Sequence, residues 1–171
     1  TSAAAWLSYE DIKSSATFDM KDVYNTYAIG GCDLSATTDL TCATLLIRRS
    51  REEDTVYVLQ QYFLPERRIE QLDEHNSNEA PYKAWAARGL LTICPGNRVD
   101  YSAVTAWYCQ MRDEFKIDCF AVGYDRALAG YWVDEMKANG FDMHAVAQGP
   151  FTWSQPMREM GAAFADKKVN Y

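Results

Sequence analysis

The fold of this chain is decided by residues 27–33, which read YAIGGCD and predict a buried β-strand that ends at a carboxylate, Asp33. Two glycines in the strand, Gly30 and Gly31, predict that a neighbouring backbone approaches closely at this point. The residues that follow, Leu34 to Thr38, are rich in Ser and Thr and predict a turn.

Two further strands are predicted after this turn. The stretch from Leu40 to Arg48 is rich in Thr, Leu and Ile, and the stretch from Thr55 to Phe63 alternates in the manner of a strand. The charged residues from Arg49 to Asp54 predict the hairpin loop that joins them. Three adjacent strands with short connections predict an antiparallel meander.

The remainder of the chain alternates between helices and short strands. The predicted strands are Leu90 to Cys94, Asp118 to Tyr124 and Phe141 to Ala147. A first helix is predicted to open near Pro65. Four further helices are predicted, from about Ala80 to Arg88, Tyr101 to Phe115, Ala127 to Asn139 and Gln155 to Asp166, and a loop is predicted over Gly149 to Ser154. This order predicts an α/β fold: a mixed sheet, with an antiparallel three-strand meander plus parallel strands, flanked by helices. It is the order of RNase H-like folds.

Length and composition predict one compact domain. The chain has 171 residues, 48% of them hydrophobic, which is enough for a real core. Residues 1–25 are polar and predict a lead-in or linker remnant, whereas residues 26–171 predict the folded domain. No apolar run approaches the roughly 18 residues that span a bilayer, and the first residues lack the charged start of a signal peptide. We therefore expect a soluble intracellular protein with no membrane partner.

The five cysteines and two histidines predict neither a disulfide framework nor a zinc site. The cysteines are odd in number, form no CxxC pair and lie in apolar stretches, which favours free buried thiols. The histidines, His75 and His144, are far apart in sequence and lack HxH or HExxH spacing. We interpret each as a surface or packed side chain.

Asp33 and Asp125 are the strongest candidates for chemistry. Each ends an apolar strand, and the two strands would lie side by side in an RNase H-like sheet, so that their carboxylates emerge at one edge. Adjacent carboxylates repel each other and need protons or cations, and hard oxygen ligands suit Mg²⁺ or Mn²⁺. The alternative for either residue taken alone is a plain turn after a strand.

Asp39, Ser35 and two threonines lie in the turn after Asp33. Asp39 either points back at the same cations or simply caps the turn, and the sequence leaves both interpretations open. Ser35, Thr37 and Thr38 more often satisfy turn backbone groups than bind a phosphate.

The net charge of −7 argues mildly against nucleic-acid binding by this chain alone, because phosphate contacts normally need a basic surface. Cations at an acidic cluster, or another part of a larger protein, would remove the difficulty. No GxxxxGK[ST] phosphate loop occurs in these residues, so we predict no ATP-driven motor of that kind within them.

Four segments in order resemble the nuclease domain of tailed-phage terminase large subunits, especially of the HK97-like type. Residues 31–41 (GCDLSATTDLT) resemble the first acidic motif, and residues 122–126 (VGYDR) resemble the second. Residues 85–97 (WAARGLLTICPGN) are similar to a W-x-x-x-G-x-L-x-x-x-P-G segment. Residues 148–160, with QG and then SQPMREM, are similar to the segment before the late helix.

The resemblance implies a hydrolase, a two-metal endonuclease that cuts concatemeric double-stranded phage DNA during genome packaging. It implies two Mg²⁺ or Mn²⁺ ions, with Asp33 and Asp125 as catalytic metal ligands and Asp39 as an accessory acid. It also implies portal protein and small terminase subunit as partners, in the host-cell cytoplasm. A third acid, in a motif resembling K-I-D, is expected beyond Tyr171, so that this domain would be incomplete at its C-terminus and weakly active or inactive alone.

Three other interpretations remain open at this point. Another RNase H-like nuclease, such as a resolvase or transposase core, would use the same acids. The sugar kinase and actin-like class also opens with an Asp followed by Ser or Thr on a strand, but it predicts a duplicated domain and therefore a longer chain. A non-catalytic domain that docks on a portal or capsid protein would show no cleavage at all.

Overall fold

The structure, a computed structural model, describes residues 6–13, 16–74 and 81–171. Within these ranges the strands are β1 (Tyr27–Asp33), β2 (Thr41–Arg48), β3 (Val56–Pro65), β4 (Leu91–Cys94), β5 (Asp118–Tyr124), β6 (Met143–Ala145) and β7 (Val169–Asn170). The α-helices are α1 (Tyr9–Ile12), α2 (Glu66–Glu74), α3 (Tyr82–Ala87), α4 (Tyr101–Asp113), α5 (Gly130–Ala138) and α6 (Pro150–Ala165). The first five residues of the predicted lead-in, and His75, lie outside the described residues.

The described strands form one mixed sheet in the order β4-β3-β2-β1-β5-β6, and β7 pairs with the start of β3. The pairs β1–β2 and β2–β3 are antiparallel, whereas β1–β5, β5–β6, β3–β4 and β3–β7 are parallel. The predicted architecture, an antiparallel meander continued by parallel strands and flanked by helices, is therefore confirmed. β1 lies at the centre of the sheet, between β2 and β5.

The core lies on the face of the sheet that carries the alternate β1 residues Ala28, Gly30 and Cys32, all of them buried. Helix α4 packs here because it presents Val104 and Tyr108, which are both almost fully buried, on one side. The close approach predicted for the glycines is confirmed at Gly30. A Cβ there would stand 2.9 Å from Cγ2 of Val122 and 3.3 Å from a ring carbon of Tyr108, so glycine lets strand and helix pack together.

The opposite face of the sheet is more open. Tyr27 and Phe120 stack on it with ring centroids 5.1 Å apart, and both are about 60% exposed. Ile29, between them and the end of β1, is 58% exposed. α6 carries no fully buried residue, so this side of the molecule keeps a wide cleft.

The last long helix begins earlier than the sequence predicts. A loop was expected over Gly149 to Ser154 and a helix from Gln155, but α6 already begins at Pro150. Both Pro150 and Pro156 are able to open a helix, because proline lacks the N–H that the first turn leaves unused. The chain uses Pro150, and Pro156 then lies inside the helix at the cost of one backbone hydrogen bond.

The part of the chain that precedes β1 is packed against the sheet. Val23 is fully buried in the main core, and the ring of Phe18 meets that of Tyr57 edge-on at 5.2 Å. The ammonium of Lys167 donates to backbone carbonyls at the end of α1, including that of Asp11 at 3.2 Å. No helix in the described ranges combines the length and the apolar character that crossing a membrane would require.

Candidate functional site

The sheet brings Asp33 and Asp125 to the same edge. β1 and β5 run parallel, and Cys32 is paired with Tyr124. The next residue in each case is an aspartate, Asp33 as the last residue of β1 and Asp125 directly after β5, and neighbouring strands lie about 4.8 Å apart. Both aspartates line one cleft of about 670 Å³ on the open face of the sheet. The prediction that these two strands lie side by side is confirmed.

Local structure leaves both carboxylates available. Oδ1 of Asp125 accepts a 3.0 Å hydrogen bond from the N–H of Ala127, which caps the short 3-10 turn Arg126–Leu128. No other partner of this carboxylate is found among the described residues. The Asp33 side chain is exposed and, within the same ranges, accepts no hydrogen bond. Among the described residues, three of the four carboxylate oxygens of this pair therefore have no hydrogen-bond partner.

The walls of the cleft come from strands and from α6. Its floor includes Gly31 and Gly123, which have no side chain, and Thr44, whose side chain is short, so room is left above the sheet. Trp153 forms part of the opposite wall, and its indole N–H donates a 3.0 Å hydrogen bond to Oε1 of Gln148. The earlier start of α6 matters here, because Trp153 would otherwise lie in a loop.

No Lys or Arg is found among the described residues that line the cleft. Its charged side chains are the two aspartates, so an anionic phosphate cannot enter without compensating cations. In the described ranges, the cleft included, no cluster of three or more His, Cys, Asp or Glu side chains is close enough to hold an ion. Two carboxylates nevertheless suit Mg²⁺, which is usually held by one or two carboxylates together with waters and substrate phosphates. The donor set therefore fits the expected cofactor.

Asp39 is not brought to the cleft. It lies exposed in the turn between β1 and β2, and its backbone N–H donates a 3.3 Å hydrogen bond to Oγ of Ser35. The backbone N–H of Ser35 in turn donates to the hydroxyl of Thr41 at 2.8 Å. Here Ser35 satisfies turn backbone groups, which was the preferred interpretation of this segment.

His144 is a cleft residue that the sequence did not identify. Its side chain lines the cleft, and Nε2 lies 2.7 Å from Oδ2 of Asp142. Asp142 directly precedes β6, and His144 lies two residues later in the middle of that strand, so their side chains meet on the open face. This spacing beside the strand of Asp125 is the signal that could have been read, whereas the search for HxH or HExxH spacing missed it.

Cys42 also lines the cleft, opposite Asp33 in the β1–β2 pairing. Burial raises the pKa of its thiol, although a hydrogen bond with Thr44 partly offsets the effect. The thiol is therefore protonated near neutral pH and is a weak ligand beside two carboxylates. All five cysteines are free, as the sequence predicts.

Comparison with known proteins agrees with this geometry. Residues 1–171 match the family described as "Terminase large subunit, endonuclease domain". The large terminase subunit of Enterobacteria phage HK97 is 30% identical over 133 residues, which are 78% of this chain and 24% of that protein. The chain thus spans about a quarter of the length of this curated relative.

Two solved structures share the fold. The crystal structure of the HK97 bacteriophage large terminase matches with a TM-score of 0.71 and 23% identity, over 91% of this chain and 34% of that one. The large terminase nuclease from thermophilic phage G20c matches with a TM-score of 0.50 and 10% identity, over 85% and 58%. The RNase H-like prediction is confirmed, and with a match along its whole length the chain belongs to the endonuclease-domain family of terminase large subunits.

Proposed function

We propose that this chain cleaves double-stranded DNA with two divalent cations, Mg²⁺ or Mn²⁺, held by Asp33 and Asp125. One observation carries the proposal. Two carboxylates with free oxygens end adjacent parallel strands in a cleft whose described lining contains no basic side chain. DNA phosphates require cations in such a place.

The chain's own residues divide the work as follows. Asp33 lies on the central strand and would bridge the cations. Asp125 would hold one of them, because its Oδ1 already accepts a hydrogen bond from the 3-10 turn. When bound, a cation pair in such a site activates water and stabilises the leaving oxygen of a phosphodiester. Water is the nucleophile, and the open cleft admits it beside the carboxylates.

Asp39 enters the proposal as an accessory acid. Its turn begins directly after Asp33, and the hydrogen bond found for Asp39 within the described ranges is the one that its backbone N–H donates to Oγ of Ser35. The carboxylate itself is exposed and is free to approach a cation bound beside Asp33. Its contribution should be smaller than that of the two acids already in the cleft.

Family membership supports the wider setting of the reaction. The substrate would be concatemeric phage DNA cut during packaging, with portal protein and small terminase subunit as partners in the host cytoplasm. The chain would bind the DNA backbone without sequence preference. Because its net charge is −7, it would need cations or other basic surfaces to do so.

Plasmid cleavage tests the proposal. Supercoiled plasmid is incubated with Mn²⁺ or with Mg²⁺ and either this chain or a longer chain that continues past Tyr171. Each chain is tested as wild type, Asp33→Asn, Asp125→Asn and Asp39→Asn. We expect nicked and linear products from the wild-type longer chain and weak cutting or none from this chain alone. In the longer chain we expect strong loss in the first two variants and a smaller loss in the third. Asp118→Asn, at the exposed opposite end of β5, is the matched control and should cut normally.

Two outcomes would overturn the assignment. Equal cutting by wild type, Asp33→Asn and Asp125→Asn would place the chemistry elsewhere. Failure of both chain lengths to cut with either metal, although they fold and remain monodisperse, would favour a non-catalytic docking domain.

A further inference from the structure

The wall of the cleft beside Asp125 carries an imidazole that the proposed reaction has not used. His144 lies on β6 and is paired with Gly123 on β5, two residues before Asp125. Both side chains line the same cleft. His144 and Asp125 are therefore diagonal neighbours on one face of two adjacent parallel strands.

The hydrogen bond to Asp142 determines which ring nitrogen is available. An ionised carboxylate can only accept, so the 2.7 Å contact between Nε2 of His144 and Oδ2 of Asp142 places the proton on Nε2. In the neutral ring the lone pair is then on Nδ1. No partner for Nδ1 is found in the part of the chain that the structure describes.

A histidine arranged in this way is prepared to bind a metal. Histidines that ligate metals almost always donate their other ring N–H to a carboxylate or carbonyl, which fixes the tautomer and makes the free nitrogen more basic. Asp142 and His144 have this relationship. In the β5–β6 register Asp142 precedes His144, whereas Asp125 comes two residues after the partner of His144, so the two aspartates lie on opposite sides of His144 along the chain direction.

The spacing between the strands is suitable for a shared ion. Diagonal neighbours on adjacent strands lie roughly 7 to 8 Å apart, a span that an imidazole, one cation and a carboxylate can fill with ligand bonds of about 2.1 Å. The three side chains do not yet form a closed cluster in the described structure. The His144 side chain is 58% exposed, so its rotamer can adjust when a cation binds.

We propose that His144 is a third protein ligand of a divalent cation in this cleft, bound through Nδ1 beside Asp125, with Asp142 as its positioning residue. The inference rests on the proposed metal site and deepens it. A mixed oxygen and nitrogen ligand set favours a first-row transition ion such as Mn²⁺ over Mg²⁺, because Mg²⁺ takes oxygen ligands.

Pulsed electron paramagnetic resonance tests this directly. Mn²⁺ is added to the protein without DNA, after removal of any histidine tag, and the echo-envelope spectrum is examined for ¹⁴N modulation from a bound imidazole. The chain has two histidines, so His144→Gln and His75→Gln are a matched pair. We expect ¹⁴N modulation in wild type and His75→Gln, and its loss in His144→Gln.

Binding measurements supply a second readout. His144→Gln should lower the affinity for Mn²⁺ by about 10-fold or more and leave that for Mg²⁺ nearly unchanged, and Asp142→Asn should lower Mn²⁺ affinity by about 10- to 100-fold. Both residues are exposed, so the variants should fold like wild type, which thermal unfolding would verify.

The outcomes separate this inference from the nuclease assignment. Mn²⁺ bound without ¹⁴N modulation, or modulation that survives His144→Gln, overturns the role of His144 and leaves Asp33 and Asp125 as the metal ligands. Absence of any Mn²⁺ binding to the folded protein overturns the inference and the proposed metal site together.

Discussion

The hydroxyl of Tyr108, on α4, donates a 2.7 Å hydrogen bond to the backbone carbonyl of Gly31, on β1. The carbonyl of Thr44 on β2 lies 3.4 Å from the same hydroxyl. The buried side chain of Tyr108 therefore connects α4 to both β1 and β2, the strands that carry Gly31 and Thr44 in the floor of the cleft. Burial also raises the pKa of the Tyr108 hydroxyl well above its ordinary value, so the bond keeps its proton across the working range.

Tyr108→Phe should destabilise the protein by about 1 to 2 kcal/mol, because the substitution leaves a buried carbonyl short of a donor. The free energy of unfolding in urea measures the effect. Tyr131→Phe is the control, since Tyr131 is 96% exposed and should change stability by less than about 0.5 kcal/mol. Equal stability of both variants would show that the hydrogen bond contributes nothing net.

Gly30→Ala and Gly31→Ala should differ sharply, although the two residues are neighbours. A Cβ at Gly30 would meet Val122 at 2.9 Å and the sulfur of Cys119 at 3.2 Å, whereas a Cβ at Gly31 would meet nothing within 4 Å. We expect Gly30→Ala to cost about 1 to 3 kcal/mol through overpacking, and Gly31→Ala to be nearly neutral.

Thermal and urea unfolding of the two glycine variants would check this. The result also tests which face of β1 is turned towards the core, because Gly30 faces the core and Gly31 faces the cleft. A larger loss of stability in Gly31→Ala than in Gly30→Ala would contradict that orientation.

The free energy of unfolding should fall as pH rises above about 9. In that range the buried thiols keep their protons in the folded state, whereas the same thiols lose them in the unfolded chain. Burial raises the pKa of the Cys119 thiol to about 11 and raises that of Cys32 further. Between the ordinary thiol pKa and these raised values the unfolded chain binds fewer protons than the folded one, so the free energy of unfolding decreases with pH.

The limiting slope is about 1.4 kcal/mol per pH unit for each fully protected thiol, and Cys119 should contribute less because it is only half-buried. We expect urea unfolding at pH 10 to give a free energy about 1 to 2 kcal/mol lower than at pH 8. Cys32→Ala should show a shallower decline over the same interval. A flat profile in wild type would mean that these thiols ionise without unfolding.

The central part of the fold was predictable from the sequence, because local patterns there agree with the tertiary structure. β1 ends at Asp33 as predicted, and β5 from Asp118 to Tyr124 has the predicted bounds. The prediction that both strands are buried holds for one face only, because Tyr27, Ile29 and Phe120 are exposed on the other. The adjacency of Asp33 and Asp125 follows from this order of strands.

The walls of the cleft were less predictable, because they depend on choices that tertiary structure makes. Two prolines could each open α6, and the helix begins at the earlier one, Pro150. The short β6 holds His144 next to β5, but a strand of three residues shows almost no periodicity in sequence. Asp39 was equally hard to place from the sequence, since a position in a turn does not determine where the side chain points.

Substitutions of Asp125 should separate its structural role, as a cap of the 3-10 turn, from its proposed role as a metal ligand. Its Oδ1 accepts the N–H of Ala127, a cap that asparagine preserves and alanine removes. Without metal, Asp125→Asn should unfold close to wild type, and Asp125→Ala should lose about 1 kcal/mol. Mn²⁺ at a concentration 100 times its dissociation constant should add about 2.7 kcal/mol to wild type and much less to either variant. Urea unfolding with and without Mn²⁺ gives all six values, and Asp118→Asn, which should keep the full metal response, is the control. If Asp125→Asn retained that response as well, Asp125 would be a capping residue and the cation would have to be held from the Asp33 side alone.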